Sequence, residues 1–212
     1  MTSLRPALLA LAASVGLTLS LPVDRVAADD KPQAPAADPD APPYLADQER
    51  VDLTAPPLRI ENPGNGWILL DLEKLKEKAR AARQPLEGYE RLKVRLWHPA
   101  TKGDIFVDAW FDQVSRAAPI TLEQYGQPLL DGVKAALTES EVKGTGGTKI
   151  GGRDAWMFEV HGKAGTVARA VVKAVTFRPD DKVVLTITLE CPLERVAALK
   201  RDLTKVLRKA RV

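Results

Sequence analysis

The sequence predicts an α+β domain: an antiparallel β-sheet sandwiched between helices, in an α/β/α arrangement. Three observations carry this reading. Between residues 49 and 212, segments of strand period and stretches of helical period are both present, and short turn-rich connections join successive strands of a meander, which pair antiparallel. The last three strands read as a meander closed by an amphipathic helix. The middle strand of that meander, Val167 to Phe177, is apolar on both sides, with Ala168, Ala170, Val172 and Ala174 on one face and Val167, Val171, Val175 and Phe177 on the other. A strand of that kind is covered above and below.

The elements follow in order. Asn62-Pro63-Gly64-Asn65-Gly66 is turn chemistry, and Trp67 to Leu70 after it reads as a short strand. Asp71 to Gln84 reads helical, with Leu72, Leu75, Ala79 and Ala82 at helical spacing and Pro85 as the stop. Leu92, Val94 and Leu96 alternate with Lys93, Arg95 and Trp97, which is strand period. Asp104 to Val114 is a second strand, carrying Ile105, Val107, Ala109 and Phe111 on one face and Phe106 and Trp110 among Asp104, Asp108 and Asp112 on the other. Thr121-Leu-Glu-Gln124 is a capping box that starts a helix, and Pro128 inside its apolar stripe predicts a kink or restart near Gly126. Gly144 to Gly152 reads as a flexible hairpin loop. Strands over Asp154–Val160, Val167–Phe177 and Val183–Glu190 follow, joined by the turn-rich segments 161–165 and 178–182. Pro192 opens the last helix, whose stripe is Leu193, Val196, Leu199, Leu203, Val206 and Leu207.

Several of these segments carry a resemblance. They are the Pro63–Trp67 turn with its following helix, the strand leading into Thr121–Tyr125, the Ile150-Gly-Gly-Arg-Asp-Ala-Trp156 hairpin entry, and the closing strand–helix pair. Together, over most of residues 56–212, they resemble the PsbP-like family, which unites the extrinsic photosystem II protein and its non-photosynthetic bacterial relatives. The resemblance implies an α/β/α sandwich and a non-enzymatic adaptor or binding role, often in exported proteins. It carries over no metal or partner position.

The N-terminus supplies an address. Arg5 precedes an apolar run from Ala7 to Leu21, about the length of a signal h-region and shorter than the about 20 residues of a membrane span. Pro22, Asp24 and Arg25 flank the run poorly for an anchor, and Val26-Ala27-Ala28 fits signal peptidase, so residues 1–28 are expected to be a signal peptide cleaved near Ala28. The expected location is secreted or periplasmic. No cysteine follows the run to take a lipid. Residues 29–48 are rich in Pro, Ala and Asp without apolar period, and read as a disordered linker. Residues 49–212 suit one domain with one core. Cys191 is the only cysteine, so an intrachain disulfide is excluded.

No residue pattern names a reaction. The two histidines, His98 and His161, lack a third ligand at metal spacing, so no metal or other cofactor is expected. Cys191 falls near the last helix cap, where a helix dipole lowers a thiol pKa; the plainer alternative is a small core residue. Asp104 and Asp108 lie about 13 Å apart along a strand, too far for a working acid pair unless a partner comes from another strand. The Gly144–Gly152 run fits no phosphate-loop pattern. The candidate binding surface is Phe106, Asp108, Trp110 and Asp112. The candidate contacts to an anionic partner or membrane surface are Lys200, Arg201, Lys205, Arg208 and Lys209, although cations at a helix C-terminus also have a purely structural explanation. For an exported protein with no recognisable binding motif, nucleic acid is not an expected partner. The reading is a monomeric, exported, non-catalytic binding or adaptor module with an unknown protein or small-molecule partner. A carrier of a small apolar ligand, motivated by Ala168, Ala170 and Ala174, and a hydrolase with a dispersed site are the alternatives.

Overall fold

The computed structural model describes residues 49–54, 57–86, 89, 91–111, 121–178 and 183–212, and only the backbone of residues 107–111. The expected signal peptide (1–28) and linker (29–48) lie outside the described residues. The described strands are β1 (Arg50–Thr54), β2 (Pro57–Glu61), β3 (Ile68–Leu69), β4 (Leu92–His98), β5 (Gly103–Phe111), β6 (Thr138–Ile150), β7 (Arg153–Ala164), β8 (Val167–Arg178) and β9 (Val183–Pro192). The described α-helices are α1 (Leu72–Ala81), α2 (Leu122–Ala136) and α3 (Val196–Lys209).

Seven strands form one antiparallel sheet in the order β3-β4-β5-β9-β8-β7-β6, and β1 and β2 pair as a separate hairpin. One face of the sheet is largely apolar, with Glu159 and His161 of β7 at its margin. Leu96, Ile105, Ala170, Val172, Ala174, Leu185, Ile187, Leu189 and Cys191 pack there against Leu199, Leu203, Val206 and Leu207 of α3 and against Leu58 and Ile60 of β2. A strand period of two sends these side chains to one side, and the helical stripe of α3 meets them. The chain end is tied to the hairpin. Arg59 and Arg211 exchange two backbone hydrogen bonds of 2.9 and 3.0 Å, and Lys209 pairs with Glu61 at 2.9 Å. The opposite face is apolar under α2, where Leu130 and Leu137 meet Trp156, Phe158, Val160 and Val171. The expected sandwich is therefore the observed one. The middle strand of the meander, β8, is covered on both sides.

The structure corrects four local expectations. Residues 144–150 are not a loop but the second half of β6, paired residue by residue with β7 down to Ile150↔Arg153. Ladder formation with β7 overrides the poor strand propensity of glycine. The turn is only Gly151-Gly152, both at positive φ (57° and 87°), the geometry of a two-residue type I′ hairpin. α2 runs unbroken through Pro128, with the capping box of Thr121 and Gln124 in place. Proline's fixed φ is helical, and the missing amide leaves only the Gln124 carbonyl without its usual donor. Turn chemistry assigned to 161–165 is confined to Ala164–Val167, because β7 continues through Ala164. The last helix begins later than Pro192: β9 extends to that residue and a 3₁₀ turn, Leu193–Arg195, precedes α3. The β1–β2 hairpin had no sequence signal strong enough to find it.

A single acid fixes the long turn before β3. Asp202 of α3, buried, accepts hydrogen bonds from Trp67 Nε1 (3.0 Å), Asn65 Nδ2 (3.0 Å) and Lys205 Nζ (2.8 Å). Burial pushes its carboxyl up, but these donors outweigh it and hold the pKa below the ordinary value.

Candidate functional site

The face that carries α2 changes character beyond the helix. Register places Trp97, Asp104, Glu190, Val171 and Val160 in one row across β4, β5, β9, β8 and β7, and Arg95, Phe106, Thr188, Lys173 and Phe158 in the next. The α2 end of these rows is hydrocarbon. The β4–β5–β9 end is a polar strip, with Arg169 one position further along β8.

Asp104 and Glu190 are directly opposite each other on β5 and β9, which sets their Cβ atoms about 5 Å apart. This supplies the second carboxylate, from another strand, that Asp104 lacks within its own strand. Asp104 is 8% exposed. Arg95 Nη2 approaches its carboxylate at 3.3 Å, and the same guanidinium lies 4.5 Å from the Phe106 ring centroid. Burial pushes the Asp104 carboxyl above its ordinary value, against the pull of Arg95 and Arg169. Glu190 is raised as well, by burial first and by the charge of Asp104, against Arg169, Arg95 and Lys173. Two like charges side by side with little water favour sharing a proton. Thr188 is buried beside them, and Thr186, 2% exposed, has a hydroxyl with no hydrogen-bond partner. Glu190, Arg95, Phe106, Arg169 and Lys173 remain partly accessible. Such a strip presents carboxylates, cations and hydroxyls that can meet complementary charges and donors.

Of the candidate surface, Phe106 belongs to this strip. Asp108 and Trp110 are placed by register opposite Thr186 and Val184, but their side chains, and Asp112 altogether, lie outside the described residues. On α3, Lys200 pairs with Glu159, Lys205 with Asp202 at 2.8 Å, and Lys209 with Glu61 at 2.9 Å. Arg201 and Arg208 are exposed and pair with no acid among the described residues.

Cys191 is not at a helix cap. It sits in β9 beneath α3, fully buried, and burial pushes its thiol up to about 12, so the dipole argument for a reactive thiolate does not hold. His161 shares its row with Cys191, but Ala170 of β8 stands between, a separation of about 10 Å. His161 instead binds Glu159 Oε1 at 2.7 Å. Burial raises the Glu159 carboxyl, and bonds from Lys200 and His161 more than offset that and hold it below its ordinary value. His98, at the end of β4, contacts the Asn65 carbonyl at 2.9 Å and stands edge-on to Trp67. Ala170 and Ala174 are wholly buried in the core shared with α3, where small side chains seat the helix closely. The polar strip was only half visible in the sequence. In the sequence Arg95 is only the polar alternate of a strand and Glu190 only a strand end, and the order β4-β5-β9 brings them to Asp104.

No family model matches the sequence, and no curated protein matches it. Solved structures do. The chain resembles cyanobacterial PsbP (CyanoP) from Synechocystis, at 15% identity and a TM-score of 0.52, over 77% of this chain and 91% of that one. It resembles the Saccharomyces cerevisiae Ran-binding protein Mog1p at 15% identity and 0.50, over 77% and 94%. It also resembles LpqN of Mycobacterium tuberculosis, described as involved in cell envelope biogenesis, at 13% and 0.50, over 76% and 87%. At these identities the likeness is one of fold, and the fold is PsbP-like.

Proposed function

We propose that this chain is an exported, non-catalytic binding or adaptor module that engages a protein partner through the polar strip on β4, β5, β9 and β8. The observation that carries the reading is the Asp104–Glu190 pair, held with Arg95, Arg169 and Lys173 on a sheet face that α2 leaves partly open. Charges this poorly hydrated are costly to keep unless they serve a contact, and perturbed carboxyls in a recess are a mark of functional sites. The same fold serves a Ran-binding protein, which supports recognition over chemistry. The protonated, buried thiol of Cys191 and the contacts of His161 with Glu159 and of His98 with Asn65 argue against a thiol- or histidine-based hydrolase. The proposed encounter lies outside the cytoplasmic membrane, a reading supported by the leader expected from the sequence. Arg201 and Arg208 give α3 a secondary means of meeting an anionic partner or membrane surface.

The test is recovery of a partner from the extracytoplasmic fraction by wild-type protein and by Lys173→Glu, with folding checked by circular dichroism. Wild type recovers a reproducible partner and Lys173→Glu loses it. Equal recovery by both removes the strip from the interface.

A further inference from the structure

We infer that two copies of this chain associate edge to edge along β6, antiparallel, about a two-fold axis through Thr145. β6 is the terminal strand of the sheet, 13 residues long, and no described strand pairs with its outer side. Edges of that length are normally blunted by charge, bulges or proline. Here the two register shifts fall before Gly144, and Gly144-Thr145-Gly146-Gly147-Thr148 carries none of these devices.

The glycines are not explained within the chain. Gly144, Gly146 and Gly147 do not have positive φ, and a Cβ at any of them would meet nothing within 4 Å. Glycine weakens a strand, and one that neither turns nor crowds marks the approach of another backbone. Val142 is a second, independent oddity: it and Val167 are the large hydrophobics left exposed among the described residues.

Self-pairing accounts for both. Val142 pairs with Val160 and Gly147 with Trp156, so both lie on the sheet face that carries α2, and Lys143 is the extra residue of the bulge between Val142 and Gly144. With Thr145 opposite its own symmetry mate, and two residues of the bulge opposing one, Val142 of each copy falls opposite Gly147 of the other. The missing side chain of Gly147 leaves open the shallow cleft formed with Leu122, Thr148 and Trp156, which the valine enters. Antiparallel pairing is the arrangement that a two-fold axis normal to the sheet generates, and it keeps Val142 and the other copy's Gly147 on the same face. An isologous contact of this kind closes on two copies. A ladder this short belongs to the class of weak interfaces below roughly 1,200 Å². Association is therefore concentration-dependent, which departs from the monomer expected from the sequence.

Sedimentation equilibrium over a concentration series tests this, with wild type against Gly147→Lys, a change the open space around Gly147 accommodates in the single chain. The expected result is a mass rising toward two copies for wild type and association at least about tenfold weaker for the variant. If Gly147→Lys loses the fold, Thr145→Cys decides: under oxidation it links two chains across the axis, while Val167→Cys, also exposed, does not. One-copy mass at every wild-type concentration, association unchanged by Gly147→Lys, or equal linking by the two cysteine variants overturns the inference.

Discussion

Asp104 and Glu190 give the molecule a pH dependence of a definite sign. Both folded-state pKa values are raised, so the stability they contribute is full below the ordinary carboxyl range and is lost as pH climbs through the raised values. Glu159 and Asp202 act oppositely. Their lowered values contribute stability above the ordinary range that is lost as acid protonates them. Glu190→Gln removes one poorly hydrated charge while nearly keeping the side chain's shape. It should therefore raise the thermal midpoint near neutral pH, where most substitutions cost about 1 kcal/mol. The gain should shrink toward pH 4, where the wild-type carboxyl is itself protonated. Midpoints followed by circular dichroism across this range check it, and a loss of stability at neutral pH would show that Arg169 and Lys173 outweigh burial.

The helices owe their places to single contacts as much as to their stripes. α2 lies on β7 because Gly126 lets the helix backbone meet the Trp156 ring; a Cβ there would stand 2.1 Å from Trp156 Cε3. Trp156 is itself buried and close to Phe158, so it has little room to yield. Gly126→Ala, ordinarily favourable in a helix, should here cost about 1–3 kcal/mol, the range for overpacking, measurable by urea unfolding. The sequence announced α2 through Thr121 and Gln124 and announced β8 through its two apolar faces, because caps and periodicity are local signals. It hid β6, where a threonine- and glycine-rich run is held by pairing with β7, and it hid the β1–β2 hairpin, whose partner in space is the chain end at Arg211. The acid pair was hidden for the same reason. Strand order, not spacing, brings Glu190 to Asp104.

For the whole molecule, the two sheet faces have different tasks. One is closed by α3, the β1–β2 hairpin and the C-terminal residues, and its only thiol is sealed within it. The other is hydrocarbon under α2 and polar beside it, and that asymmetry is the physical basis for reading a PsbP-like fold as a binding module here. Site-specific photo-crosslinking in the native compartment tests the claim most directly, with the reactive group placed either at Lys173 on the strip or at Arg201 on α3. The account predicts a discrete adduct with a partner protein from position 173. Adducts from position 201 alone, or from neither, would contradict it.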